Sequence, residues 1–239
     1  LIKALHEMGH ATATRAAGGE VHDMGLMLLV LMPVPYVDAS AANVLRSRWQ
    51  RAMIGAAGMV TELFFAALAF YAWLLMEPGF VRAVCFNIMF VAGVSTLLFN
   101  GNPLLRYDGY YILADLVELP NLAAQSARYW GYLLKRYLFR LRDMESPAQT
   151  LSERLWFGCY GITSAVYRVF IALAIAIFIG TQFFFFGVLL AIWAVVMMTV
   201  VPVGKALKAL AAVPETRERG GRVWGTALSC LALIVGVFG

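Results

Sequence analysis

Two histidines four residues apart, with a glutamate directly after the first, stand near the start of the chain as His6-Glu7-Met8-Gly9-His10. On a helix, positions i and i+4 share a face, so both imidazoles can turn toward one metal ion with the carboxylate beside them. Neutral imidazole is a good ligand for Zn²⁺, and a catalytic zinc site uses three protein ligands so that a fourth position stays open to water. The ion lowers the pKa of that water to about 7, which makes a nucleophile available near neutral pH. Glu7 is then placed to take the water's proton and pass it to a leaving amine. Gly9, without a side chain, leaves room for a second helix or a substrate to come close. Five residues can also match by chance, the histidines merely packing, so the remaining chain has to supply a third ligand.

An apolar run from Phe80 to Phe99 stops at Asn100-Gly101-Asn102-Pro103, a strongly helix-breaking set, and continues as Leu104-Leu105-Arg106-Tyr107-Asp108-Gly109. In lipid, irregular backbone is tolerated only where it is buried in protein or lines a cavity, which favours Asp108 as the third ligand. Asn102 is placed to orient the attacking water or to hydrogen-bond a substrate carbonyl, and Gly109 leaves room for the turn. Glu62 interrupts another apolar run, where an ionisable group is costly and must face a cavity or a partner. It stands as the alternative third ligand, because two histidines and a glutamate also make a zinc site.

Composition sets the elements that must carry these groups. Of 239 residues, 62% are hydrophobic and 14% charged, whereas a soluble domain has about half its residues apolar and about a quarter charged. With a mean hydropathy of +0.75, the chain reads as an integral membrane protein. Its net charge of +5 is not arranged as a basic stripe with interleaved base-stacking aromatics, so no nucleic-acid partner is expected. Cys85, Cys159 and Cys230 lie far apart in or beside apolar runs, which suits packing and neither a disulfide framework nor a zinc knot. The chain opens within a helical pattern and closes within an apolar run, as though it continued at both ends.

Residues 1–17 read as the cytoplasmic half of a transmembrane helix ended by Gly18-Gly19. The distance from His10 to Gly18 along such a helix is about 12 Å, which puts the metal inside the bilayer boundary but short of its centre. Val21 to Val37, broken by Pro33 and Pro35, suits short strands or a re-entrant hairpin whose open edge could hold an extended peptide. A capped amphipathic helix is expected from Ala41 to Arg51, after Asp38-Ala39-Ser40. Spans are expected at Ala52 to Met76, Phe80 to Phe99, Leu155 to Ile179 and Gln182 to Val201, the last two joined by a Gly180-Thr181 turn. Between them Ala123 to Arg142 forms a basic, aromatic amphipathic stretch suited to an anionic leaflet or simply to a solvated face. Arg168 is a second costly intramembrane charge, pairing with Glu62 or snorkelling. Pro202 to Arg222 is a basic connector, and Val223 to Gly239 begins a sixth span. The fold class is an all-α polytopic membrane protein with about six transmembrane helices and a short β-hairpin or re-entrant segment after the first.

Lysine and arginine set the orientation. Segments 18–51, 101–155 and 202–222 hold 15 of the 19 basic residues, which makes them cytoplasmic. The end of the first helix and the Asn102 to Gly109 turn then fall on one side of the membrane, a result reached independently of the metal chemistry.

Together, His6-Glu7-Met8-Gly9-His10 and Asn102-Pro103-Leu104-Leu105-Arg106-Tyr107-Asp108-Gly109 resemble the paired motifs of the site-2 protease family of intramembrane zinc metalloproteases, over residues 1–119. The resemblance implies His6, His10 and Asp108 as zinc ligands, Glu7 as catalytic base and Asn102 as a residue that touches or supports the substrate. It covers a core at 1–119; beyond it the residues themselves read as a basic cytoplasmic connector at 120–154 and additional transmembrane helices at 155–239. Tyr107 departs from the usual leucine, no inserted PDZ domain is visible, and Gly58-Met59-Val60-Thr61-Glu62 stands where many relatives carry Gly-Pro and an asparagine. These departures are similar to a bacterial peptide zinc metalloprotease branch, some members of which accompany peptide modification or export systems. A bacterial inner membrane, a zinc site toward the cytoplasm and a membrane-associated peptide or protein substrate follow from that likeness. Two other classes stay open: a transporter or channel using Glu62, Arg168 and a metal site, though no internal repeat is evident, and a scaffold that binds peptide without cutting it.

Overall fold

The computed structural model of the chain describes residues 2–29, 31–38, 45–138, 145–201 and 204. Among them are seven α-helices and one two-stranded sheet, divided between two compact units, Leu1–Leu122 and Ala123–Gly239. The expected connector at Pro202 to Arg222, Gly204 apart, and the expected sixth span from Val223 lie outside the described residues.

In the first unit, α1 (Ile2–Ala16) carries the histidine pair and closes where Gly18 takes a φ of 84°. The Gly18 and Gly19 N–H groups bond back to Arg15 and Thr14 at 3.0 and 2.9 Å, a left-handed cap that suits glycine. Next comes an antiparallel hairpin, β1 (Met24–Leu29) with β2 (Met32–Val37), so the expected strands form where the prolines broke the helical pattern. Pro33 and Pro35 lie opposite Leu28 and Leu26; having no N–H, they can sit only where the β2 backbone points away from β1. Leu31, just before β2, has a φ of 63°, the left-handed conformation common in tight hairpin turns. The β2 strand packs against α1, while Met24, Leu26, Met27 and Leu28 of β1 are exposed.

Helix α2 (Arg48–Leu75) is 28 residues long, about 42 Å at 1.5 Å per residue. The helix expected over Ala41 to Arg51 is not separate: residues 45–47 are not helical, Arg48 and Arg51 already belong to α2, and 39–44 lie outside the described residues. No proline or turn residue separates Arg51 from the apolar run, so nothing stops one helix from starting in the basic stretch. Pro78-Gly79 ends α2 and α3 (Phe80–Val94) follows, passing without a break into a π-helical turn at Ser95–Asn100. The helix-breaking set then forms an irregular turn over 101–107, and α4 (Asp108–Leu116) starts at the expected aspartate.

In the second unit, α5 (Leu122–Leu133) continues as a π-helical turn at Leu134–Leu138, so the expected amphipathic stretch is described to residue 138. Helix α6 (Leu151–Gln182) opens on a capping box: Thr150 Oγ1 accepts from the Glu153 N–H at 3.2 Å, and Glu153 Oε2 accepts from the Thr150 N–H at 3.2 Å. The turn expected at Gly180-Thr181 falls instead at Phe183, between α6 and α7 (Phe184–Val195). Gly180 stays helical and lies in contact with Gly187; the missing side chains let the two backbones meet on either side of the break at Phe183.

Among the described residues three helices are long and apolar enough to cross a membrane: Arg48–Leu75, Phe80–Asn100 and Leu151–Gln182. Large apolar side chains such as Phe64, Phe90 and Phe170 point outward from them, which is expected of helices solvated by lipid.

Candidate metal centre

The site is built at the crossing of α1 and α2, where glycine on each helix removes a barrier. A Cβ on Gly9 would fall 2.5 Å from Thr61 Oγ1 and 2.8 Å from the Ala57 carbonyl oxygen, so α1 lies directly on the α2 backbone. The room expected at Gly9 is thus taken by a helix. Across the crossing, a Cβ on Gly58 would fall 2.5 Å from His10 Nε2 and 2.6 Å from His6 Nε2. Gly58 is the floor on which both imidazoles converge, a role beyond the small-residue packing its sequence context suggests.

The two Nε2 atoms are 3.0 Å apart. Asp108 reaches the same point from α4, with Oδ2 2.9 Å from His6 Nε2 and Oδ1 3.7 Å from His10 Nε2. The opposite ring nitrogens face other acceptors. His10 Nδ1 donates to the Ile54 carbonyl at 2.8 Å, which leaves its Nε2 with a lone pair when the ring is neutral. His6 Nδ1 is buried, makes no hydrogen bond, and faces Glu62 Oε1 at 3.5 Å. Glu62 therefore sits behind the His6 ring, on the side away from Asp108, and this geometry favours Asp108 over Glu62 as the third ligand.

Asp108 is held in place by the chain around it. Gly101 N–H bonds to the Thr96 carbonyl at 2.7 Å, and Asn102 Oδ1 accepts from the Leu104 N–H at 2.9 Å, which together close the turn before α4. A Cβ on Gly109 would fall 2.7 Å from the Gly101 carbonyl, so α4 starts directly against the end of the preceding turn. At the other end of α4, Arg51 Nε donates to Asp115 Oδ1 at 2.8 Å, and Arg51 Nη1 to the Leu45 carbonyl at 2.8 Å. These contacts fix the helix that presents Asp108 against the helix that carries Gly58.

Glu62 is fully buried and has four neighbours. Lys3 Nζ lies 2.8 Å from Oε1, Thr96 Oγ1 and Asn100 Nδ2 donate to Oε2, the latter at 3.3 Å, and His6 Nδ1 faces Oε1. The π-helical turn places Thr96 and Asn100 on the Glu62 side of α3, in keeping with the frequency of such turns at functional sites. Sequence reading missed Lys3, Thr96 and Asn100; the available signal was a buried acid that needs partners, but nothing in the sequence says which helix supplies them. Within the first unit Lys3 is the cation beside Glu62; in the second, Arg168 Nε donates to the Ser164 carbonyl of its own helix at 3.1 Å.

Glu7 follows His6 on α1 and is partly buried. Asn102 closes the turn through its side-chain oxygen, a structural task beside the substrate role expected of it.

The donor set fits zinc. One atom each from His6, His10 and Asp108 lies within 4.8 Å of the others, and tetrahedral bonds of about 2.0–2.1 Å would set neighbouring ligand atoms about 3.3 Å apart. The two nitrogens are 3.0 Å apart, and each has an Asp108 oxygen near that spacing, Oδ2 at 2.9 Å from His6 and Oδ1 at 3.7 Å from His10. Two imidazole nitrogens and a carboxylate converging in a part-buried site offer one cation three donor atoms. No protein-family model, no curated protein and no solved structure matches the chain.

Proposed function

We propose that the chain is the core of an intramembrane zinc metalloprotease of the site-2 protease type, hydrolysing peptide bonds in membrane-associated peptides or proteins. The observation that carries this reading is the convergence of His6 Nε2, His10 Nε2 and the Asp108 carboxylate over Gly58, with Glu7 next to the first ligand. His6, His10 and Asp108 would hold the ion. Zinc, when bound, supplies Lewis acidity that activates water and polarises the scissile carbonyl. Glu7 receives the proton of the attacking water and delivers it to the leaving nitrogen. The substrate backbone has to be unwound at this point, because a helical amide is shielded by its own hydrogen bonds. The β1 edge is a place where an extended segment could pair.

The three candidate spans, the shorter apolar helix at Phe184–Met198 and the site-bearing α1 are read as five of about six crossings; the sixth falls outside the described residues. With the basic segments cytoplasmic, the zinc site opens toward the cytoplasmic side, in a bacterial inner membrane on the likeness drawn from the motifs. A peptide modification or export system is the corresponding partner.

The test is Glu7→Gln on purified protein incubated with membrane peptides, with products read by mass spectrometry. The variant should keep its zinc and lose cleavage by about 100-fold or more. Full turnover in that variant would remove Glu7 from the chemistry.

A further inference from the structure

Glu62 is not one of the groups that converge on the proposed ion, yet it has the most elaborate surroundings in the first unit. An acid with no accessible surface, inside a helix long enough to span a membrane, is expensive unless it acts on something. Its surroundings are asymmetric. Lys3, Thr96 and Asn100 grip the carboxylate from α1 and from the π-helical turn, and the remaining direction points at the free Nδ1 of His6. A metal-bound histidine commonly gives its other N–H to a carboxylate or carbonyl, which fixes its ring and raises its basicity. His10 has such a partner in the Ile54 carbonyl. For His6 the corresponding acceptor is Glu62 Oε1, 3.5 Å away.

We propose that Glu62 is a positioning residue for the metal centre: held by Lys3, Thr96 and Asn100, its carboxylate orients His6 through Nδ1 and strengthens that imidazole as a ligand. This rests on the reading of His6, His10 and Asp108 as a zinc site. The two imidazoles are then unequal ligands, one backed by a neutral carbonyl and the other by a carboxylate. Lys3 balances the carboxylate charge inside the apolar helix pair, while Thr96 and Asn100 fix the plane of the carboxyl group. The arrangement also explains why Lys3, one helical turn before His6, points back at α2 instead of away from the protein.

The experiment measures zinc affinity of the purified full chain by competition with a chromophoric chelator, and the visible spectrum after cobalt substitution, for the wild type, Glu62→Gln, Thr96→Val and Lys3→Met. Glu62→Gln should weaken zinc binding by about 10- to 100-fold and shift the cobalt bands, because one ligand has changed its donor strength. Thr96→Val and Lys3→Met should each weaken binding by a smaller factor in the same direction. A Glu62→Gln protein that is folded and binds zinc as tightly as the wild type, with unchanged cobalt bands, overturns the proposal; a purely structural role would lower thermal stability and leave both readouts alone. Should Glu62→Gln fail to fold, the other two variants decide, and unchanged affinity in both overturns it. A wild-type chain that binds no zinc refutes the metal centre itself, an outcome distinct from a wild type that binds and a Glu62→Gln that binds equally well.

Discussion

The two compact units share one problem, polar groups on apolar helices, and the first adds to the local solution a set of bonds between elements. In the second unit Thr163, Ser164, Arg168 and Thr181 bond to carbonyls three or four residues back on their own helix, while Trp130 Nε1 reaches the Gly158 carbonyl of α6. In the first unit Thr12, Thr14, Thr61 and Asn87 make the same local bonds, but others cross between elements: His10 to Ile54, Thr96 and Asn100 to Glu62, Lys3 to Glu62, Arg51 to Asp115. A local bond satisfies a donor wherever the helix lies. A bond between helices is satisfied only at one relative placement, so the first unit fixes its helices by its polar groups. That is the difference between helices that occupy a membrane and helices that hold a site.

The sharpest way to break this contrast is one methyl group placed in each unit. Gly58→Ala puts a Cβ 2.5 and 2.6 Å from the two Nε2 atoms, whereas Gly158 has nothing within 4 Å of the same position. Zinc bound per chain should fall close to zero in the first variant and stay unchanged in the second, as read by elemental analysis. A weaker perturbation of the same kind is Gly109→Ala, which drives a Cβ against the Gly101 backbone. Forced overpacking of this sort costs about 1–3 kcal/mol, seen as a lower unfolding temperature in detergent together with looser zinc. Arg51→Met should cost about 1–2 kcal/mol, because it removes a charged hydrogen bond to Asp115 that is only partly shielded from solvent. Smallest of all should be Thr163→Val in the second unit, within about 0.5 kcal/mol of the wild type, since its hydroxyl serves only its own helix.

What was legible in the sequence follows the same division. Local signals read well: the i, i+4 histidines, the helix stop at Asn100 to Pro103, the prolines that make a hairpin, and the Gly18 cap all act within a few residues. Asp108 was legible too, because a carboxylate just after a membrane-helix break has few other uses. The groups that escaped are those defined by a partner on another helix. Glu62 was visible as a costly acid, but Lys3, Thr96 and Asn100 are ordinary residues until the crossing of α1, α2 and α3 puts them around it. Gly180 misled in the other direction: read as a turn, it is a contact point, and the bend falls at Phe183. A glycine in an apolar run signals close approach of backbones as readily as it signals a break, and sequence alone does not separate the two.

The claim at the centre is that His6, His10 and Asp108 share one zinc ion. X-ray absorption at the zinc edge, on the purified wild type and on Asp108→Ala, tests it most directly. The expected result is one zinc per chain with two imidazole nitrogens and oxygen in its inner sphere, and loss of zinc or of the carboxylate oxygen in the variant. A wild type that holds no zinc, or an inner sphere that Asp108→Ala leaves untouched, would contradict it.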